Sequence, residues 1–411
     1  MRRSSIFPFP PLTLIFLLSL ALFQTACQSG SAAAPVERQV SPEVITLSTS
    51  SPTPAAIPAT HTTTLLPSST HTATLLPPST AEALPTAKPS LTPSLTPTAE
   101  PLTTTLIFTG IIVPARCVQA KLDEIGNPDY PYEEVRETLS AADLTVGVFN
   151  ATMSDRVEHT GCLTTWQLVG SPDNAGAAAR AGFDLMGVAT NHIKDCGLMK
   201  SWCDYAFFDT LANLQRAGIQ TVGAGADLEA ALQPVVFTRN GVRFGFVSLG
   251  DSKMDPVVFA GEDHPGIAHL IPENMKRAIE LARQSADVVI AMPHWGSEDI
   301  AIPNWNQQQQ ARQLIEYGAD LIVGNHTHVV QAIQELDGVP VFYGLGNFVF
   351  DQGLRDHRQG IILLVDFKGS QYLGYRLIPT HTDADGRVHI ADPEEAAEIL
   401  ESIARSSAAL P

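Results

Sequence analysis

Ala319-Asp320-Leu321-Ile322-Val323-Gly324-Asn325-His326-Thr327-His328 is the stretch that decides how this chain is read. Leu321-Ile322-Val323 is a short continuous apolar run, as expected of a strand covered on both faces in a parallel sheet. Function in such sheets collects at the carboxyl ends of the strands, where the backbone leaves the sheet. Gly324 permits a tight turn at that point, and two imidazoles on alternate residues follow it. Imidazole is a frequent metal ligand and also an ordinary loop group. Taken alone, the pair fits a metal site or a polar loop equally.

The same grammar recurs outward from this stretch. Apolar runs that read as strands are Leu106 to Val113, Leu144 to Phe149, Leu185 to Ala189, Gln220 to Val222, Val235 to Phe237, Phe244 to Ser248, Val288 to Met292 and Val341 to Tyr343. Between them lie helical patterns at Tyr132 to Ala141, Ala175 to Ala181, Asp204 to Ala217, Pro272 to Gln284 and Asn306 to Tyr317. Gly182, Gly218 and Gly318 stand where left-handed helix caps are expected. Beyond residue 341 strands and turns dominate before a last helix near Pro393 to Arg405. The pattern predicts an α/β layered domain with mixed sheets.

Polar clusters follow several of these strands. They are Thr190-Asn191-His192-Ile193-Lys194-Asp195, Pro293-His294-Trp295-Gly296-Ser297-Glu298, Asn325-His326-Thr327-His328 and Gly344-Leu345-Gly346-Asn347. Carboxamide oxygen and imidazole nitrogen together suit a divalent transition ion such as Mn, Fe or Zn. The bland alternative is a set of buried, hydrogen-bonded imidazoles that support loops.

The ends of the chain read differently. Residues 1–26 have the form of a secretion signal: Arg2 and Arg3, an apolar run from Leu12 to Phe23, then Gln24-Thr25-Ala26. That run is too short to span a bilayer comfortably, which needs about 20 residues. Cys27, directly after Thr25-Ala26, resembles a lipoprotein cleavage site and is the candidate lipidated residue. Gln24 departs from the usual aliphatic residue there, so ordinary signal cleavage stays open. Residues 27–105 read as a stalk, rich from Thr46 to Thr105 in Ser, Thr, Pro and Ala and carrying the decapeptide echo His61–Thr70 and His71–Thr80. Such a segment buries too little apolar surface to offset its chain entropy. His61 and His71 belong to this echo and are read as solvated. Residues 106–411 are the right size for one large domain.

The net charge of −18 over 411 residues argues against a nucleic-acid partner, which wants a basic face. Five cysteines are present. Without Cys27, the remaining Cys117, Cys162, Cys196 and Cys203 allow three pairings. Cys196 with Cys203 closes a short loop and leaves Cys117 with Cys162, the favoured pairing. The lack of a CxxC pair argues against a cysteine zinc site.

The order of motifs resembles the CapA-type capsule (poly-γ-glutamate) synthesis family, itself similar to calcineurin-like metallophosphatases. The likeness runs from about Leu106 to Ser407. It rests on Ala142-Asp143-Leu144-Thr145-Val146-Gly147, Ala181-Gly182-Phe183-Asp184, Asn191-His192, His294-Trp295-Gly296, His326-Thr327-His328 and Gly346-Asn347-Phe348. The resemblance implies a layered α/β/β/α sandwich of the metallophosphatase type. It implies one or two divalent metal ions, with Asn191, His294 and His326 on the better-preserved one and His328 reaching towards the second. His192 becomes a general acid near the leaving group, with a metal-activated water as nucleophile. Trp295 becomes a pocket wall and Arg116 a contact for a substrate anion.

Two positions depart from the family. Gly110-Ile111 replaces a Gly-Asp pair, and Val148-Phe149-Asn150 stands where the family has Asn-Leu-Glu. Ile111 cannot bind a metal, and Asn150 is a neutral candidate ligand, or a turn residue. The first-metal site is therefore expected to be degenerate. Of the lesser candidates, Asp195 either caps a turn or touches substrate, and Glu298 either orients His294 or is solvated. Asn347 shapes a loop. Gln307 to Gln310 form a solvated helix face. His159, His264, His269, His357, His381 and His389 are expected at the surface.

The expected partners are an anionic capsule polymer or an envelope phosphate ester, the membrane through the lipid anchor, and membrane subunits of a capsule synthase. The readings left open are capsule-polymer synthesis, anchoring or export; an active phosphoesterase; and a metal-free structural lipoprotein.

Overall fold

The computed structural model describes residues 102–411 apart from residues 164, 198–201 and 252. The signal segment, Cys27 and the stalk up to residue 101 lie outside the described residues. Among the described residues no helix is long and apolar enough to cross a membrane.

Two mixed sheets form the framework. The first runs in the order Val388–Ile390, Gln371–Thr382, Gln359–Lys368, Thr103–Ile112, Leu144–Phe149, Leu185–Gly187, Gln220–Val222, and Asn347–Val349 also pairs with Thr103–Ile112. Its last four strands are mutually parallel, and its first three are antiparallel. The second sheet runs Ile333–Leu336, Val339–Phe342, Leu321–Val323, Val288–His294, Val242–Gly250, Val235–Arg239. Its four central strands are parallel, with an antiparallel partner at each edge.

Side chains alternate across a strand, and that alternation assembles the layers. Leu106 and Phe108 of the first sheet share one core with Phe244, Phe246, Val288, Ile290 and Leu321 of the second, so the sheets pack face to face. Ile107 points the other way, into a core completed by helices Cys117–Ile125, Asp173–Ala181 and Asp204–Arg216. Val289, Ala291 and Ile322 likewise leave the second sheet on its outer face, under helices Pro272–Arg283 and Trp305–Tyr317. The result is the four-layered α/β/β/α sandwich. Ile399 and Ile403 of the last helix, Pro393–Ala408, plug the inter-sheet core.

Element by element the expectations are met unevenly. The first strand begins at Thr103, three residues before Leu106. Helix Cys117–Ile125 has no counterpart in the sequence reading, because only Val118 and Leu122 mark an apolar stripe over nine residues. The helical pattern from Tyr132 condenses to Arg136–Ser140. Gln307 is a correction. It closes a capping box with Asn304 and reaches Gln331 Oε1 at 2.8 Å, so it is buried, not solvated.

Candidate metal centre and cleft

The loops leaving the Leu185–Gly187 strand of the first sheet and the Val288–His294 and Leu321–Val323 strands of the second meet at one edge of the sandwich. Period 2 along Val288–His294 sends His294 the way of Val288, Ile290 and Met292, into the space between the sheets. Trp295 goes the opposite way with Val289 and Ala291. It is fully buried, stacks on Tyr343 and donates its indole N–H to Tyr343 O at 2.9 Å. It is therefore not a wall of the pocket, which corrects the expectation.

His294 Nδ1 donates to Asn325 Oδ1. The orientation of that amide is set by its own N–H group, which donates to Pro293 O at 3.2 Å. This fixes the tautomer and leaves a bare lone pair on His294 Nε2. That nitrogen lies 3.0 Å from Asn191 Oδ1 and 3.1 Å from His326 Nδ1. A proton on His326 Nδ1 would satisfy the lone pair once, yet the Asn191 oxygen would still face it with nothing to accept.

A cation satisfies all three donors. Ligands about 2.1 Å from an octahedral ion are separated along a cis edge by roughly 3 Å. The two observed spacings match that edge, so Asn191, His294 and His326 fit one divalent transition ion. An ion held there would supply Lewis acidity. Among the described residues no three His, Cys, Asp or Glu side chains form a metal-holding group by themselves, so the fit uses the Asn191 oxygen as its third donor.

Electrostatics favour the ligand form of the imidazoles. Burial holds His294 well below its usual pKa, and the charge of a protonated His326 would press it lower. Burial takes His326 down to about 3 and His328 to about 4. Neutral imidazole is the metal-binding form. The backbone here is also strained: His326 has φ 102° and His328 φ 60°, in the left-handed region that side chains avoid. Gly324, expected to make the turn, has another task. A Cβ there would stand 2.3 Å from both Trp295 Nε1 and Tyr343 O.

His328 lies at the edge of the trio. Its ring centre is 6.2 Å from that of His326, and its Nδ1 donates to Asn347 Oδ1 at 2.9 Å. Asn347 Nδ2 in turn donates to His357 O, so Asn347 orients a site histidine besides shaping its loop. Glu298 Oε1 lies 4.0 Å from Nε2 of both His326 and His328, and burial raises its pKa.

Asn150 does not join the donors. Its Oδ1 accepts the His192 backbone N–H at 3.1 Å, and its Nδ2 is buried without a hydrogen-bond partner among the described residues. Ile111 is wholly buried in the helix-side core. His192 Nδ1 pairs with Asp195 Oδ2 at 2.7 Å, which leaves its Nε2 to give or take a proton. The same Asp195 oxygen accepts the Leu168 N–H at 3.0 Å.

Asn191, His192, Asp195, His326 and His328 open on a cleft of about 630 Å³, the size of a small-molecule site. Arg116 lines it, but its guanidinium is bound to Asp351, donates to Thr165 O at 2.9 Å and lies over the Phe350 ring. Its fork is filled by protein, so Arg116 acts as a clamp on the wall. His357 corrects the surface expectation. It is buried, lines the cleft and pairs through Nε2 with Asp299 Oδ1 at 2.7 Å. His269 is also packed, stacked on Phe259 at 3.9 Å. His159, His381 and His389 are partly exposed in carboxylate pairs, and His264 is exposed. Cys117 is bonded to Cys162 and Cys196 to Cys203.

Residues 105–352 match the model of the family described as bacterial capsule synthesis protein PGA_cap. The PGA biosynthesis protein CapA of Bacillus subtilis (strain 168) is 30% identical over 263 residues, covering 64% of this chain and 67% of that protein. The capsule biosynthesis protein CapA of Bacillus anthracis is 30% identical over 255 residues, covering 61% of this chain and 60% of that one. Among solved structures, the NAD nucleotidase of Haemophilus influenzae aligns with a TM-score of 0.37 at 14% identity, over 74% of this chain and 56% of that chain. The family match covers more than half of the chain and includes all four site histidines, His192, His294, His326 and His328: this chain belongs to the bacterial capsule synthesis protein family.

Proposed function

We propose that this is an envelope protein of capsule-polymer synthesis, anchoring or export, whose domain holds one divalent transition ion and acts on an anionic polymer of the poly-γ-glutamate kind or on an envelope phosphate ester. The observation that carries the reading is the meeting of Asn191, His294 and His326 at the spacing of ligands on one ion. His192, held by Asp195, supplies a proton-transfer group beside it. The outward-facing, lipid-anchored location is supported by the signal-like residues 1–26 and Cys27, and by two disulfides of the kind that persist in oxidising compartments. Membrane subunits of a capsule synthase are the expected protein partners.

The test is to incubate the secreted domain with Mn²⁺ or Zn²⁺ and assay it on bis(p-nitrophenyl) phosphate and on a γ-linked glutamate oligomer. Turnover that vanishes in His192→Ala and His294→Ala supports chemistry at this cleft. Metal retention with oligomer binding but no turnover reduces the role to polymer handling. A chain that takes up neither metal nor oligomer refutes the proposal.

A further inference from the structure

Trp166 is 79% exposed and lies on the rim of the same cleft. A single exposed tryptophan needs no functional explanation. This one differs because the backbone beneath it is fixed from both sides. Before it, Arg116, clamped to Asp351, donates to Thr165 O at 2.9 Å, and Cys162 is bonded to Cys117. After it, the Leu168 N–H donates to Asp195 Oδ2, and Gln167 Oε1 accepts the Cys196 N–H at 3.0 Å. Asp195 is the residue that holds His192. The indole thus stands between two anchored backbone groups, the Thr165 carbonyl held by Arg116 and the Leu168 N–H held by the carboxylate that pairs with His192. An aromatic side chain with two χ angles on an anchored backbone loses little conformational entropy on binding.

Lys253 is exposed and lines the same cleft. An indole face and a lysine on the same cleft suit a chain that carries flat amide groups and methylenes along its backbone and carboxylates on its branches. We infer that Trp166 is a specificity-determining residue of this cleft, stacking on the amide and methylene faces of an anionic polyamide, with Lys253 taking a carboxylate. This rests on the proposed role in capsule-polymer handling.

The experiment uses the domain with Mn²⁺ present. Affinity is measured by calorimetry for a γ-linked glutamate decamer and for linear polyphosphate, an anion without amide faces. Trp166→Ala should weaken decamer binding about tenfold, as the loss of an aromatic contact and its burial implies, while Trp166→Phe restores most of it. Metal content and polyphosphate affinity should not move. If turnover is found, the loss should fall on KM with kcat retained. Equal decamer affinity in wild type and Trp166→Ala overturns the inference and leaves the polymer reading intact. An equal loss towards polyphosphate also overturns it, since stacking on amides would then not be the cause. A wild type that binds no decamer while retaining metal overturns both the inference and the polymer reading.

Discussion

His294 Nε2 stands 3.0 Å from Asn191 Oδ1, and the two side chains come from different sheets, 103 positions apart in the chain. Neither sheet alone could build this contact. It exists because face-to-face packing brings the carboxyl end of Leu185–Gly187 against that of Val288–His294.

Asn325 sets which nitrogen of His294 is bare, and so affects the ion without touching it. Asn325→Ala should weaken Mn²⁺ or Zn²⁺ binding by about 10- to 100-fold, the usual cost of losing the partner that orients a ligating histidine. Calorimetric titration checks this. An unchanged affinity would mean that the tautomer argument is wrong.

Metal-free stability should depend on pH through the buried imidazoles. Unfolded histidine titrates near 6.5, whereas His326 and His328 are held down to about 3 and about 4, chiefly by burial. Between those values the unfolded chain binds more protons than the folded one, so stability falls as pH drops from about 6.5 towards 4. Above 6.5 these two groups add no dependence. Urea melts in chelator should show the decline, and His328→Asn should flatten it.

Much of this architecture was legible in the residues. The run Leu321-Ile322-Val323 and its neighbours placed the strands, and the polar clusters after them placed His192, His326 and His328 on one cleft with His294 buried against His326. Period 2 also held the information that Trp295 turns away from His294, but the resemblance implied a pocket wall. His357 could not be found by pattern. It lies in the short 3-10 helix Asp356–Arg358, and the tertiary pairing with Asp299 holds it at the cleft. Arg116 is implied by the resemblance as a contact for a substrate anion, and Asp351, the partner that fills its fork, lies 235 positions away where no local pattern shows it. Gln307 looked solvated among four glutamines until the cap and Gln331 buried it.

Cys117–Cys162 closes a 45-residue separation next to the cleft wall. Replacing both cysteines by serine should cost about 4 kcal/mol by the chain-entropy relation. Denaturant unfolding of the oxidised domain against the double variant measures it. No loss of stability would show that the bridge is not a structural support.

Ile111 stands where the resemblance leads one to expect an acidic residue, yet its side chain points into the helix-side core. Ile111→Asp should therefore lower stability by roughly 3–5 kcal/mol, as expected for an unpaired buried charge, and should not add a second ion. The combined Ile111→Asp and Asn150→Glu variant should retain the wild-type metal count. A count that rises to two would show that the position can still reach the centre.

Metal stoichiometry is the most direct measurement. The domain, stripped by chelator, reloaded with Mn²⁺ or Zn²⁺ and desalted, should carry about one ion per chain by elemental analysis. His294→Ala, with its fold verified by circular dichroism, should carry almost none. A wild-type domain that carries no ion, or a His294→Ala variant that keeps it, would contradict the account.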